Sequence, residues 1–429
     1  MKFLHTADIH LGQIIYQNYD RSDEHNHFFN QLKKWCIEHK PDALLISGDI
    51  FDTQQPSAAT KKAFTEYFVE IHNTCPDTPI IIIAGNHDSA SRIQADSAVW
   101  KLANTTIIGC APSALPTDGW EERYIIRLRQ GYIIALPYMT SERTELIQHL
   151  LNVVAKENYE KKPVVMMGHT AVTGLDLLGH NIEIGNLKTQ DTASFGSGYD
   201  YLALGHIHKP QTIGHQEDAF ELSVTYPSPV IRYSGSALHV SCDETFPHTV
   251  SLVEINEHKG DVKINQLRIN ELRHFHILPQ DGSSFTNCDD ILNCVKEFCH
   301  NEQEGYIRLQ IDNSVDLPSN FNQMIYDTLS ATKDEVRYNP KIIWTGKTNN
   351  NDDNKELPSF EIAELQQMTN PLEFIERSIE QYPTLNIDEV REAFIEIEEE
   401  IYRLKSEEEI KSAIKGRKKT PSLTETTEE

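Results

Sequence analysis

The chain has 429 residues, of which 39% are hydrophobic and 24% charged, and its formal net charge at pH 7 is −26. This length predicts two or three domains, and the composition is that of a soluble globular protein, which excludes a fibrous or disordered chain. No apolar run is long enough to span a bilayer and the first residues lack a signal-peptide layout, so a cytoplasmic protein without a membrane partner is expected.

The first two thirds of the chain alternate short apolar runs with amphipathic segments. Continuous runs of Val, Ile and Leu separated by helices predict a sheet that is buried on both faces. The early helices are predicted at Ser22–His39 and Ser57–Asn73. The strands are predicted at Lys2–Thr6, Ala43–Ser47, Ile80–Ala84, Tyr132–Leu136, Val164–Gly168, Tyr201–Gly205, Val230–Ser234, Thr249–Glu254 and Val262–Arg268. Together these elements predict an α/β domain over residues 1–270.

A smaller α/β domain is predicted over residues 271–345, in the order strand, helix, strand, helix, strand. Its helix is predicted at Asp289–His300, and its later strands at Tyr306–Ile311 and Lys341–Trp344. A polar stretch rich in Asn and Asp follows and predicts a flexible linker over residues 346–358.

Two helices are predicted within residues 359–405, and the charged, Ser/Thr-rich tail 406–429 is predicted to be disordered. In the second helix an apolar stripe recurs at helical spacing, formed by Val390, Phe394, Ile397, Ile401 and Leu404. Between Lys355 and Lys411 there are 16 acidic and 6 basic residues, so a large part of the negative charge is concentrated here. The net charge therefore does not exclude a nucleic-acid partner for the rest of the chain.

The seven cysteines are odd in number and scattered, and none forms a C-x-x-C pair. They therefore predict neither a disulfide framework nor a thiolate zinc site. The cysteines are Cys36, Cys75, Cys110, Cys242, Cys288, Cys294 and Cys299.

Five short motifs rich in Asp, His and Asn each follow a predicted strand, at the strand end where open α/β sheets build their sites. Carboxylates, an amide and imidazoles without thiolates suit hard or borderline divalent cations. Two cations roughly 3.5–4 Å apart need a bridging ligand, and a carboxylate can serve. One such motif alone is more often a surface turn than a ligand, but five in this order predict two-metal phosphoester hydrolysis. The motifs are Asp8-Ile9-His10, Gly48-Asp49, Gly85-Asn86-His87-Asp88, Gly168-His169 and Gly205-His206-Ile207-His208.

The order of these motifs resembles the calcineurin-like metallophosphoesterase superfamily. The amino-acid sequences of the motifs and of their flanking residues are similar to the SbcD family of bacterial nucleases over residues 1 to about 270. The similar stretches are Phe3–Gly12, Gly48–Thr53, Ala84–Ser89, Leu204–Gln211 and Tyr233–Ser236. The resemblance implies a four-layer αββα sandwich, then a small capping domain that contacts DNA, and a C-terminal helical pair.

The resemblance also implies a role for each motif residue. Asp8, His10, Asp49 and His208 would hold one cation. Asp49 would bridge to the second, which Asn86, His169 and His206 would also hold. His87 would be the catalytic histidine near the scissile phosphate, and Mn²⁺ would be the working metal.

The resemblance further implies the substrate and the partner. The substrate would be DNA, cleaved as a 3′–5′ double-strand exonuclease and as a single-strand or hairpin endonuclease. The partner would be an SbcC-like SMC-family ATPase, bound by a homodimer within a heterotetramer that associates with the nucleoid. The stripe from Val390 to Leu404 fits docking on that ATPase, although an intramolecular helical hairpin would leave the same pattern.

Two positions depart from the family pattern, and two other functions stay open. Asp52 stands where some relatives have a histidine, and Thr170 stands where many have a second histidine. A phosphomonoesterase or cyclic-nucleotide phosphodiesterase could use the same site, and a structural protein could keep a vestigial one. Protein-phosphatase relatives carry Arg-Gly and Glu where this chain has Asp52-Thr53 and Asp88. The residues alone indicate phosphoester hydrolysis, and DNA as the substrate depends on the resemblance.

Overall fold

The computed structural model describes residues 1–16, 19–112, 119–141, 143–176, 189–215, 222–241, 244–301, 305–312, 314–330, 336–338 and 343–345. Residues Met1–Gly346 form one compact unit. The linker, the helical segment and the tail predicted at 346–358, 359–405 and 406–429 lie outside the described residues. No helix in the described ranges is both long and apolar enough to cross a membrane.

The described elements are nineteen strands, seven α-helices and three short 3₁₀ turns. The strands are β1 (Lys2–Thr6), β2 (Ile14–Ile15), β3 (Tyr19–Asp20), β4 (Ala43–Ser47), β5 (Ile80–Ile83), β6 (Thr105–Ile108), β7 (Ile125–Arg127), β8 (Tyr132–Ala135), β9 (Val164–His169), β10 (Tyr201–Gly205), β11 (Gln211–Thr212), β12 (Ser223–Pro227), β13 (Val230–Tyr233), β14 (Thr249–Ile255), β15 (Asp261–Arg268), β16 (His274–Leu278), β17 (Gly305–Asp312), β18 (Val336–Tyr338) and β19 (Ile343–Thr345). The helices are α1 (Ser22–His39), α2 (Ala58–Thr74), α3 (Ala90–Ala95), α4 (Ser97–Trp100), α5 (Thr144–Glu157), α6 (Cys288–His300) and α7 (Phe321–Ser330). The 3₁₀ turns are Lys101–Ala103, Trp120–Arg123 and Thr192–Phe195.

Two large mixed sheets form the body of the fold. The seven-stranded sheet has the order β12-β15-β14-β1-β4-β5-β6, and its half from β1 to β6 is parallel. The six-stranded sheet has the order β11-β13-β10-β9-β8-β7, and β13, β10, β9 and β8 are parallel. Because the parallel strands of each sheet end at the same edge, the loops that follow them are neighbours.

The alternation of side chains along β1, β4 and β5 shows how the layers stack. Phe3, Leu45 and Ile81 face the second sheet and share its core, whereas Leu4, Leu44 and Ile82 face the opposite way. That outer face is covered by aromatic and aliphatic side chains of α1 and α2, and α5 packs against the second sheet. Each fully buried aliphatic side chain contributes about 1.5–3 kcal/mol. The predicted four-layer αββα sandwich is confirmed.

A third, parallel sheet follows in the chain, with β17 at its centre. β16 and β18 pair with opposite sides of β17 near its start, and β19 pairs with residues at its end. Helices α6 and α7 pack on it through a core of its own, which includes Ile291, Ile307 and Ile325. These residues are the ones for which a capping domain is predicted, and the division at residue 270 stays a prediction.

Candidate metal centre

The predicted motifs meet where the carboxyl edges of the two large sheets touch. Nδ1 of His169, at the end of β9, lies 2.8 Å from the carbonyl oxygen of Ser47, at the end of β4. The hydroxyl of Ser47 donates to the carbonyl oxygen of Ala203 in β10 over 3.1 Å. These contacts hold the two edges together, so the loops after β1, β4, β5, β9 and β10 surround one site.

One group of side chains in this site consists of Asp8, His10 and His208. Each offers one ligand atom, and the three atoms lie within 4.8 Å of one another. The carboxylate of Asp8 accepts the backbone N–H of His206 over 2.9 Å and is buried. His10 is only 3% exposed, yet among the described residues neither of its ring nitrogens has a hydrogen-bond partner. A buried imidazole without partners is costly, and a bound cation would satisfy it.

The second group consists of Asp49, His169 and His206, whose ligand atoms also lie within 4.8 Å of one another. Oδ1 of Asn86 lies 2.9 Å from Nε2 of His169 and 2.9 Å from Nδ1 of His206. Oδ2 of Asp49 lies 3.3 Å from Nε2 of His169. This group therefore presents a carboxylate, an amide oxygen and two imidazoles, a set that suits a divalent cation.

The electrostatics of the two groups are coupled through Asp49. Burial, together with the charge of Asp49, raises the pKa of Asp8. Burial alone would raise the pKa of Asp49 as well, but the neighbouring His169 and His10 hold it far below its usual range. Burial would lower the pKa of His169, but Asp49 and Asp8 raise it to about 9. Two buried carboxylates therefore attract positive charge to this site, and a divalent cation would supply it.

The backbone at the site is held in an unusual conformation. Asp8, His10 and Asp49 each have φ of 50°, and His206 has φ of 94°. Only a few per cent of non-glycine residues adopt this region, with Asn, Asp and His enriched among them, and such conformations are concentrated at functional sites. Close packing adds a second constraint, because a Cβ at Gly85 would lie 2.1 Å from Oδ1 of Asp49. Gly85 is therefore needed so that the loop after β5 can lie against Asp49 in the loop after β4.

His87 lies beside both groups and is exposed to solvent. Its backbone N–H donates to Oδ1 of Asp49 over 2.8 Å, and its ring centroid is 5.0 Å from that of His10. Its Nδ1 lies 2.9 Å from the carbonyl oxygen of Asp52. Since a carbonyl oxygen only accepts, Nδ1 carries a proton there and Nε2 is left to contact a ligand.

Asp52, which departs from the family pattern, is in contact with the site in two ways. Its carbonyl oxygen accepts from His87, and its Oδ1 lies 3.5 Å from Nδ1 of His10. Asp52 therefore orients the ring of His87 and places a carboxylate beside His10.

Two further carboxylates support the site and were not singled out from the sequence. Asp88 accepts the backbone N–H groups of Gly85, Phe51 and Ile50 over 2.8, 3.0 and 3.2 Å, so it ties the third motif to the second. It belongs to the Gly-Asn-His-Asp motif, which gave a signal for its position but not for its role. Burial and the nearby Asp49 raise its pKa to about 6.

The second of these carboxylates, Glu244, has no motif around it. Its Oε1 lies 2.9 Å from Nδ1 of His208. A carboxylate that accepts from the far nitrogen of a histidine fixes the ring and the tautomer, leaving Nε2 to bind a cation. The chain separates the two residues by 36 positions, so only the fold reveals the pair.

The structure thus brings all eight predicted site residues together in one continuous set of contacts. The candidate metal ligands form two groups, as expected for a pair of cation sites, and Asn86 lies in the second group. The individual roles of these residues, and Asp49 as the bridge, stay predictions.

Residues 1–210 match the calcineurin-like phosphoesterase family. The chain is 29% identical over 266 residues to the SbcD component of the SbcCD nuclease of Escherichia coli strain K12, a match that covers 57% of this chain and 62% of that protein. It is 27% identical to the protein of the same name from Rhodobacter capsulatus, over 59% of this chain and 66% of that protein.

An archaeal relative is similar over more of the chain. The DNA double-strand break repair protein Mre11 of Methanocaldococcus jannaschii is 25% identical over 376 residues, which cover 85% of this chain and 88% of that protein. The matches to the two bacterial proteins span less than two thirds of their length.

Proposed function

We propose that the chain is a metal-dependent phosphodiesterase that cleaves DNA in double-strand-break repair, because it carries a calcineurin-like phosphoesterase domain over residues 1–210 and is similar to SbcD nucleases. The observation that carries the proposal is the pair of adjacent donor groups at the shared sheet edge, with a solvent-exposed histidine beside them. The names of the relatives support DNA as the substrate.

Each residue of the site has a role in this proposal. Asp8, His10 and His208 hold one cation, and Asn86, His169 and His206 hold the other. Asp49 bridges the two, in agreement with its electrostatic contact with both groups. When bound, two such cations would supply Lewis-acid chemistry, lowering the pKa of a water molecule and neutralising the charge on the phosphate oxygens. The physiological metal is proposed to be Mn²⁺, which the oxygen and imidazole donors suit.

His87 is the residue of this chain proposed to act on the leaving group. With Nδ1 donating to the carbonyl oxygen of Asp52, its Nε2 is free to contact the scissile phosphate. When the ring is protonated, Nε2 can donate that proton to the leaving alkoxide. The backbone N–H of His87 is fixed on Asp49, so the ring is positioned relative to the proposed bridge.

Three features of the proposal depend on the relatives alone. The expected activities are 3′–5′ double-strand exonuclease and single-strand or hairpin endonuclease. The expected partner is an SbcC-like SMC-family ATPase in a heterotetramer with two copies of this chain. The helices proposed to dock on it fall in residues 359–405, outside the described residues.

A cleavage assay with the purified full chain tests the proposal. End-labelled duplex and hairpin DNA would be incubated with Mn²⁺, with Mg²⁺ and with a chelator, beside a nucleoside monophosphate and a phosphopeptide. We expect DNA cleavage that requires the metal and is lost in Asp49→Ala, whereas His149→Ala, a surface histidine paired with Glu121, stays active. Fast turnover of the monoester substrates with intact DNA would favour a phosphomonoesterase instead.

A further inference from the structure

A third group of histidine and carboxylate side chains lies outside the predicted metal centre. It consists of His239, His248 and Glu271. His239 is in the loop between β13 and β14, His248 directly precedes β14, and Glu271 lies between β15 and β16. The three border a surface cavity of about 770 Å³. The group therefore lies where the residues before β14 meet the segment between β15 and the third sheet.

The geometry of this group is compact. One ligand atom from each residue lies within 4.8 Å of the other two. Nδ1 of His239 lies 3.1 Å from Oε1 of Glu271, and the rings of His239 and His248 are 4.1 Å apart between centroids. The other oxygen of Glu271 lies 2.9 Å from Nδ1 of the exposed His274. The side chains are therefore already placed as a set before any ligand binds.

The surroundings of His248 are a second, independent observation that points to a cation ligand. The residue is 1% exposed, and its Nδ1 lies 3.0 Å from the carbonyl oxygen of Ser236, to which it can only donate, and 3.1 Å from the hydroxyl oxygen of the same residue. Among the described residues its buried Nε2 has no hydrogen-bond partner. In the tautomer that donates from Nδ1 to the carbonyl oxygen, the neutral ring has its lone pair on this nitrogen. Its nearest carboxylate oxygen is Oε2 of Glu244, at 3.4 Å. A lone pair that faces a carboxylate is unfavourable unless a positive charge lies between or beside them.

One cation behind the group, Arg21, is already engaged by other partners. Arg21 donates to the carbonyl oxygen of His239 over 2.5 Å, which fixes this loop from behind. The guanidinium of Arg21 is however paired with Glu24, whose Oε2 lies 2.9 Å from its Nε. Glu271 and Glu244 place two carboxylates beside the histidines, and Arg268 lines the same cavity.

We propose that His239, His248 and Glu271 bind a third divalent cation, of the borderline class represented by Zn²⁺, at a site separate from the predicted pair. Two imidazoles and one carboxylate are a donor set that Zn²⁺ favours, and three protein ligands leave one position for water or for a group entering the cavity.

The third cation holds the loop that carries Glu244 to the segment before β16. Glu244 connects this site to the predicted metal centre, because its two oxygens face His248 and His208 respectively. The proposal does not depend on the proposed nuclease activity.

Metal stoichiometry in the full chain tests the proposal. The apoprotein would be loaded with Zn²⁺ and then dialysed, and the metal content would be measured per chain. Three proteins would be compared with the wild type: the double variant His239→Ala/Glu271→Gln, the quadruple variant Asp8→Ala/His10→Ala/Asp49→Ala/His206→Ala, and His149→Ala. His149 is a fitting control because it forms another histidine–glutamate pair, 2.7 Å from Glu121.

We expect three Zn²⁺ per chain in the wild type and in His149→Ala, two in the double variant and one in the quadruple variant. An unchanged Zn²⁺ content in the double variant would overturn the proposal and assign any extra metal to other groups such as the cysteines. A quadruple variant without Zn²⁺ would overturn it as well. One Zn²⁺ in the wild type that the quadruple variant keeps and the double variant loses would support this site while contradicting the predicted pair.

A second measurement covers variants that fold poorly. In the quadruple variant, Zn²⁺ at a hundred times its dissociation constant would stabilise the folded state by about 2.7 kcal/mol, seen as a rise in Tm. Adding His239→Ala and Glu271→Gln should abolish that rise. A rise of equal size in both backgrounds would contradict binding at this site.

Discussion

Two regions of the molecule bury several charged side chains, but they differ in how those charges are satisfied. One is the predicted metal centre. The other, here called the arginine cluster, lies between the start of α1 and the third sheet and consists of Arg21, Glu24, Arg273, Tyr306 and Arg337. Both contain carboxylates almost without solvent contact. In the metal centre both ring nitrogens of the buried His10 lack a hydrogen-bond partner within the described residues, whereas in the arginine cluster this holds only for Nε of Arg273.

The arginine cluster satisfies its own charges. Glu24 is 2% exposed, and its oxygens contact Arg21 at 2.5 Å, Arg273 at 3.3 Å and Arg337 at 3.6 Å, besides the hydroxyl of Tyr306. In the metal centre, by contrast, the charge of Asp49 disfavours the charged form of Asp8, and His10 lacks hydrogen-bond partners within the described residues.

The comparison shows that a buried charge is weak evidence of function by itself. What distinguishes a ligand site is an incomplete set of partners that a cation of definite charge would complete. The carboxylate and guanidinium charges of the arginine cluster pair with one another across the sandwich and the third sheet, so this cluster is best explained as structural. The following predictions test this distinction.

The largest effect is expected for His87→Ala, which removes the exposed histidine of the metal centre. Cleavage of DNA should fall about 10²–10⁴-fold, the usual contribution of a general acid. The metal content should stay at the wild-type value, because His87 is not among the donors. Rate measurements at saturating Mn²⁺, together with metal analysis, check both parts. Full activity in a protein that retains its metal would contradict the role of His87.

A large effect on stability, without one on metal binding, is expected in the arginine cluster. Glu24→Gln leaves Arg21 and Arg273 without their shared carboxylate, and breaking a buried pair costs about 3–5 kcal/mol. Urea unfolding with and without Mn²⁺ should show the same loss in both conditions. The matched control is Glu70→Gln, which removes an exposed contact with Lys33 and should cost about 0–1 kcal/mol. A loss that depends on Mn²⁺ would mean that the arginine cluster is coupled to the metal centre.

A moderate effect is expected for Glu244→Gln, because Glu244 orients His208 without being a proposed ligand itself. Removal of such an orienting partner weakens metal binding about 10–100-fold. The Mn²⁺ concentration that gives half-maximal cleavage should rise by that factor, while the rate at saturation changes less. The same shift in the His239→Ala/Glu271→Gln background would show that it arises through His208. An unchanged Mn²⁺ requirement would contradict this role for Glu244.

The sequence predicted the fold, and the place where the motif residues converge, better than the residues that support them. Continuous apolar runs such as Ile80–Ile83 predict buried strands directly, and five motifs at strand ends predict where ligands converge. The pairing of His208 with Glu244, or of His239 with Glu271, depends on loops from different parts of the chain, and no local pattern encodes it. The helix at Thr144–Glu157 was not predicted either, although its apolar side chains pack on the second sheet.

The smallest effect is expected for Asp8→Asn, and the sign of its change in stability distinguishes the metal centre from the arginine cluster. Burial and the charge of Asp49 disfavour the charged form of Asp8, so its pKa is raised. Asp8→Asn removes the charge and keeps an oxygen for the backbone N–H of His206. In the metal-free protein we therefore expect this variant to be more stable by about 1 kcal/mol, the usual size of a point-substitution effect. At saturating Mn²⁺ the order should reverse, because the wild type gains binding energy that the variant lacks. Tm measured with chelator and with Mn²⁺ checks both signs. A variant that is less stable under both conditions would mean that Asp8 is satisfied without a cation, as Glu24 is in the arginine cluster.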